Sequence, residues 1–96
     1  MAEWVYLLHP PRENFIATLS ESEREVFGRH AQYQAELLEA GTLLLSGPTF
    51  GPENTGICVF TADDEAAARA VMEADPAVSS GVMRGDLRLM GVLRGR

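Results

Sequence analysis

Thiol chemistry is nearly absent from this sequence, which holds one cysteine, Cys58. A lone thiol closes no disulfide within the chain and falls far short of a structural zinc site. A reducing compartment, the cytoplasm, is the simplest setting for it. Long apolar runs are missing as well, since no stretch approaches the roughly 18–20 residues that cross a bilayer. The start, Met1-Ala2-Glu3-Trp4, has no basic segment ahead of an apolar run, so no secretory signal is expected. Basic residues are few: eight Lys and Arg stand against fourteen Asp and Glu, a net charge of −6. Such a balance argues against nucleic acid, whose phosphates demand a basic surface. The tail Arg94-Gly95-Arg96 is basic but too short to make a patch. Two separated histidines without cysteine partners make no metal site. Ser46 lacks the Gly-x-Ser-x-Gly setting of a nucleophile elbow. The glycines at 47, 51 and 56 fall between two strands, not between a strand and a helix, so they form no phosphate loop.

What remains is ordinary globular composition over 96 residues, 46% hydrophobic and 23% charged, which fits one domain spanning 1–96. Residues 3–9 are rich in β formers and stop at Pro10-Pro11, giving a first strand. A short helical turn fits within 12–19. Ser20 and Glu23 have capping-box spacing, as do Ser22 and Glu25. From there Val26, Phe27, His30, Ala31, Tyr33, Leu37 and Leu38 recur at three- and four-residue intervals, so an amphipathic helix runs to Gly41. Residues 42–46 read as a second strand and 57–61 as a third, joined by a long hairpin of turn residues. Thr61 or Asp63 is expected to cap a second, alanine-rich helix over about 64–74, which Asp75-Pro76 ends. Residues 77–81 read as a turn, and Leu87–Leu93 as a fourth strand. The order βαββαβ is the ferredoxin-like α+β pattern with a four-stranded antiparallel sheet.

The strands are apolar on both faces. Trp4, Tyr6 and Leu8 alternate with Val5 and Leu7; Ile57 and Val59 alternate with Cys58 and Phe60; Leu87, Leu89 and Leu93 alternate with Met90 and Val92, with Arg88 beside them. Two helices cover only one face of such a sheet, whereas a half-solvated sheet alternates apolar with polar. A second copy of the same sheet is the simplest cover, which predicts a homodimer or a higher even oligomer.

Few side chains here do acid–base work near neutrality. His30 lies mid-helix on the apolar stripe, which suits either a packed histidine or a general acid–base at a cleft edge. Asp75, at the end of the second helix, is placed either to orient that imidazole or simply to terminate the helix before Pro76. His9 ends the first strand, where it reads as a turn residue or as a member of the same cleft. Cys58, mid-strand between Ile57 and Val59, reads as buried and inert.

An ordered set of features resembles the YCII-related (YciI-like) domain. The features are Arg29-His30 on the first helix, the run Leu38–Pro48 with its Ser46-Gly47-Pro48 turn, Gly56 before the third strand, and Asp75-Pro76 after the second helix. The resemblance covers about residues 3–93. It implies the fold of the dimeric α+β barrels, with two sheets packed face to face. It also implies a histidine–aspartate pair at His30 and Asp75, with the turn Ser46, Gly47 and Pro48 lining the same cleft; Arg29, beside His30, and His9, from its strand-end position, are the further residues expected about the substrate. A relative that eliminates chloride from a hydroxyquinone makes cofactor-independent elimination, isomerisation or hydrolysis of a small organic molecule the expected chemistry. A non-catalytic module that holds a metabolite in the same cleft is the other expectation. Ala77-Val78 after Asp-Pro and Ala31-Gln32-Tyr33 after the histidine depart from the family pattern.

Overall fold

The computed structural model describes residues 1–95; Arg96, the last residue of the basic tail, lies outside them. Strands β1 (Ala2–His9), β2 (Leu43–Pro48), β3 (Gly56–Ala62) and β4 (Arg84–Leu89) form one antiparallel sheet in the order β2-β3-β1-β4. Helices α1 (Glu21–Glu39), α2 (Glu65–Ala74) and the single-turn α3 (Pro76–Ser79) carry the crossovers, and a 3-10 turn spans Ile16–Thr18. The two central strands, β1 and β3, pair in register from Ala2↔Ala62 to Leu8↔Gly56.

The period-two pattern decides which face meets the helices. Trp4, Tyr6 and Leu8 of β1 and Cys58 and Phe60 of β3 are buried, and they form one core with Ala68 and Met72 of α2, Ala77 of α3 and Phe15. The ring of Tyr6 meets Phe60 edge-on at 5.6 Å. On the other face Val5 and Leu7 lie opposite Val59 and Ile57, all half-buried.

Local chemistry sets the ends of the helices. Ser20 caps α1 by accepting from the Glu23 amide, and Glu23 accepts in return from the Ser20 amide, the reciprocal capping box. Arg12 donates two parallel hydrogen bonds to the Glu23 carboxylate, at 2.8 and 2.9 Å, and these bonds are the main reason that this carboxyl is held down to about 2. At its far end α1 closes in a Schellman motif: Gly41 donates to Leu38, Thr42 donates to Leu37, and Gly41 has φ +81.

Four boundaries differ from the sequence reading, each for a local reason. Asp64, not Thr61 or Asp63, caps α2, accepting from the Ala67 amide at 2.8 Å. The expected turn after Pro76 is the one-turn helix α3, capped by Asp75. Strand β2 runs on to Pro48, with a register shift between Leu43 and Leu45 that leaves Leu44 and Leu45 exposed. Strand β4 begins at Arg84 and ends at Leu89, earlier than the apolar run 87–93 suggested, because pairing with β1 ends at Trp4↔Leu89. Gly85 allows that earlier start: a Cβ there would sit 2.8 Å from Sδ of Met72. The shift also changes the open face of β4, where Arg84, Asp86 and Arg88 lie opposite His9, Leu7 and Val5. That face is apolar along β1 and β3 and charged along β4, so the expectation of apolar residues throughout does not hold for the fourth strand.

Gly41 provides a direct check of this architecture. Open space surrounds its Cα, so only the left-handed backbone angle restricts the position. Gly41→Asn should unfold near the wild-type denaturant midpoint. Gly41→Val should lose about 1–2 kcal/mol, the cost of a left-handed conformation for a residue with Cβ, in urea titrations of both variants.

Candidate active site

Asp75 is fully buried at the junction of α2 and α3. The following proline drives it out of helical angles, to φ −66 and ψ 124, and so ends α2. The same residue then starts α3, its Oδ1 accepting from the Ala77 amide at 2.9 Å. One carboxylate therefore turns the chain between two helices while it lies beneath α1.

His30 meets it from above. Its Nδ1 lies 2.8 Å from Oδ1 and 2.9 Å from Oδ2 of Asp75. Helical spacing brings it there, because His30 is four residues beyond Val26, the first buried residue of α1. The imidazole is about one-fifth exposed and tilts against the ring of Phe27, 5.7 Å between centroids. Phe27 in turn rests edge-on against Phe15, and Arg12 covers Phe15 at 4.9 Å.

Two further side chains join this pair. Tyr6 donates its hydroxyl to Oδ2 of Asp75 at 2.7 Å. Gln34, one turn beyond His30 on the buried face of α1, donates Nε2 to the Tyr6 hydroxyl at 2.7 Å, to Oδ2 of Asp75 at 3.3 Å and to Sγ of Cys58 at 3.4 Å. Burial alone would raise the Asp75 pKa. The hydrogen bonds from His30 and Tyr6, the imidazole's charge and the Ala77 amide outweigh it, and the carboxyl lies below its ordinary range. Burial likewise pushes the Tyr6 phenol well up, so it remains a donor.

These contacts assign the imidazole protons. An ionised Asp75 has no hydrogen to give, so Nδ1 of His30 is the donor. In the neutral imidazole Nε2 then carries the lone pair. His30 forms part of the wall of a cavity of about 290 Å³, enclosed chiefly by Leu8, Phe27, Ala31, Ile57 and Met83 together with Ser46, Gly47 and Pro48. Cys58 reaches the same wall, but burial pushes its thiol up to about 11, which keeps it protonated near neutrality. Asn54 secures the long β2–β3 hairpin beside the cavity. Its Oδ1 accepts from the Ile16 amide at 3.1 Å and its Nδ2 donates to the Thr49 carbonyl at 3.2 Å. Among the described residues no three His, Cys, Asp or Glu side chains cluster as metal ligands.

The structure thus gathers His30, Asp75, Ser46, Gly47 and Pro48 at one place. Arg29 is exposed on α1 and lies outside the cavity wall. His9 is also elsewhere: it faces a separate cleft with Arg12, Glu13, Glu53 and Thr55, and its Nε2 lies 3.3 Å from Asp86. Tyr6 and Gln34 went unremarked as site residues in the sequence. A glutamine spaced at i+4 from His30 on a buried helical stripe was the available signal, because a polar core residue needs partners.

The sequence model of the YCII-related domain matches residues 4–85, and the chain belongs to this family. No curated protein matches it. Among solved structures, it is similar to 5-chloro-2-hydroxyhydroquinone dehydrochlorinase (TftG) from Burkholderia phenoliruptrix AC1100, in complex with 2,5-dihydroxybenzoquinone. The TM-score is 0.65 at 14% identity, covering 91% of this chain and 93% of that one. At that identity the likeness establishes a shared fold.

The depressed carboxyl has a consequence for stability. A carboxylate whose pKa is lower folded than unfolded stabilises fully above its ordinary value, 3.8 here. That contribution is lost as pH falls through the lower native value. Wild-type protein should therefore lose stability as pH drops below that range. Asp75→Asn should be less stable at neutral pH by about 1–3 kcal/mol, since its amide group leaves buried donors mismatched. Its acid-side decline should be flatter, as read from denaturant midpoints across pH.

Proposed function

We propose that this protein is a small-molecule enzyme in which His30 moves a proton through Nε2 while Asp75 fixes and charge-balances the ring. The observation that carries this reading is the double contact of Nδ1 with a buried, ionised carboxylate, made by a histidine that forms part of the wall of an apolar cavity. A carboxylate held in this way selects the tautomer and stabilises the imidazolium that forms on proton abstraction. For an elimination, Nε2 would take the proton from a substrate hydroxyl or acidic carbon. The electron pair left behind forms the new double bond, and the leaving group departs with its bonding pair. The imidazolium then returns its proton to solvent or to the product. Isomerisation requires the proton to return to a different atom, and hydrolysis requires it to come from water. His30 is the group suited to each of these.

The size and apolar lining of the cavity suit a small cyclic organic molecule, with the backbone turn Ser46-Gly47-Pro48 against one edge. The fold shared with a dehydrochlorinase seen with a dihydroxybenzoquinone supports the same substrate class. The proposed chemistry calls for no cofactor. Cys58, the other titratable side chain among the described residues of this wall, is held protonated. That scarcity favours, as a second reading, a module that binds such a ligand without turning it over.

Halogenated and unhalogenated hydroxyquinones make a suitable first panel, with halide release and absorbance as readouts. His30→Ala should lower turnover roughly a hundred- to ten-thousandfold while the fold persists. Asp75→Asn should lower it less, since shape is kept and charge is lost. Undiminished turnover in His30→Ala would overturn the enzyme reading. Saturable binding without any turnover would establish the second.

We infer further that two copies pack their open sheet faces together. Val5, Leu7, Ile57 and Val59 form the apolar strip, exposed Leu45 extends it on β2, and the charged edge of β4 lies toward the rim. Sedimentation at micromolar concentration should give a dimer or a multiple of it. Val59→Asp should dissociate it, because a carboxylate would be buried without a partner. A monomer of the wild-type chain at high concentration would exclude this assembly.

A further inference from the structure

Asp75 has more donors than a histidine–aspartate pair requires. Besides Nδ1 of His30 and the Ala77 amide, its carboxylate accepts from the Tyr6 hydroxyl and from Nε2 of Gln34, and Gln34 also donates to Tyr6. Both side chains are buried, and neither forms part of the cavity wall, so neither is positioned to touch a substrate. Phenylalanine and leucine would fill these two positions with apolar volume. The chain instead places a hydroxyl and an amide in its core, and Oε1 of Gln34 is buried there without a hydrogen-bond partner. A leucine would leave no such orphan. A polar group kept at that cost calls for a role besides packing.

We propose that Tyr6 and Gln34 are positioning residues that set the basicity of His30 by drawing on the charge of Asp75. The proposal rests on the reading of His30 as the proton-transfer group. Each hydrogen bond to a carboxylate disperses its negative charge. What is dispersed toward Tyr6 and Gln34 is withdrawn from His30, so the carboxylate stabilises the imidazolium less than an unshared one would. Removing either donor should return that charge to the contact with Nδ1. The two donors also hold the carboxylate plane. Tyr6 fixes Oδ2 and Ala77 fixes Oδ1, and this keeps both oxygens toward Nδ1. The other titratable groups beside the pair are Cys58 from β3 and Tyr33 from α1, whose hydroxyl is occupied by the Val71 carbonyl at 2.6 Å. From α2 the core contributes Val71 and Met72, and from α3 Ala77, all apolar.

The test uses the full chain and two variants, Tyr6→Phe and Gln34→Leu. The His30 ring is followed across pH by proton–carbon NMR, which needs no turnover. Where a substrate is available, kcat/KM is followed over the same range. Removing either donor should tighten proton binding at His30 roughly three- to tenfold, moving the titration midpoint and the acid limb of the rate profile upward by about half to one pH unit. Gln34→Leu removes an orphaned carbonyl and should fold well, so it carries the test should Tyr6→Phe fail to fold. A purely structural role predicts lower melting temperatures with the midpoint unmoved, and that result overturns the proposal. The two readings fail separately. A moved midpoint with full activity in His30→Ala would sink the enzyme reading alone, whereas an unmoved midpoint with activity lost in His30→Ala would sink this one alone.

Discussion

A carboxylate with no exposed surface is the most demanding group in this domain, and the arrangement of its neighbours follows from satisfying it. An isolated ionised acid in an apolar interior would cost many kcal/mol and would take up a proton instead. Asp75 remains ionised because donors reach it from separate elements: Tyr6 from β1, His30 and Gln34 from α1, and the Ala77 amide at the start of α3. Losing Asp75 itself would leave the Tyr6 hydroxyl and the Ala77 amide without the acceptor they share. The packing of α1 over β1, and of the α2–α3 turn beneath them, is thus tied to one polar cluster inside an otherwise hydrophobic core. Such networks specify a unique arrangement when every bond is made, and are costly when one is not. Here one acceptor, Oε1 of Gln34, is left without a partner.

The cavity depends on the same cluster. The contact of His30 with Asp75 sets the ring orientation, and Phe27 and Phe15 brace it from the other side. The remaining wall belongs to the β2–β3 hairpin, whose span is too long to be held by strand pairing alone. Asn54 does that work by joining the hairpin to the 3-10 turn, and the Asn14 amide donates to the Pro52 carbonyl at 2.8 Å alongside it. His30 and the wall beside it therefore rest on separate hydrogen-bond sets. Changes in the hairpin can reshape the cavity without disturbing the histidine–aspartate contact.

How much of this was legible in the sequence varies with the range of the interaction. Short-range chemistry read well. The Ser20–Glu23 box, the glycine that ends α1 and the break at Asp75-Pro76 each depend on residues within a few positions. His30 and Asp75 stood out because a resemblance selected them; spacing alone left each with an ordinary structural explanation. Tyr6 was visible only as one of several large residues on its strand, and Gln34 as a polar interruption in a helical stripe. Their convergence on Asp75 spans 69 and 41 positions of sequence and depends on strand register and helix rotation, which no local pattern encodes. Strand β4 illustrates the converse error. Its apolar residues 87–93 invited a strand, yet its span follows its partner β1 and the room that Gly85 leaves for Met72. Burial and pairing overrode composition there.

The alternation of β1 separates two roles within a single strand. Trp4, Tyr6 and Leu8 point into the layer that holds Asp75 and the cavity, while Val5 and Leu7 point to the open face. Because the side-chain period is two, a one-residue slip would exchange these sets and expel Tyr6 from the polar cluster. The hydrogen bond from Tyr6 to Asp75 opposes that slip from one side, and the pairing of Val5 and Leu7 with Val59 and Ile57 opposes it from the other. Register, the ionised state of Asp75 and the composition of the open face are therefore consequences of one strand alignment. A substitution on the open face that preserves this alignment leaves the cluster around Asp75 intact, whereas one that shifts β1 disturbs both faces together.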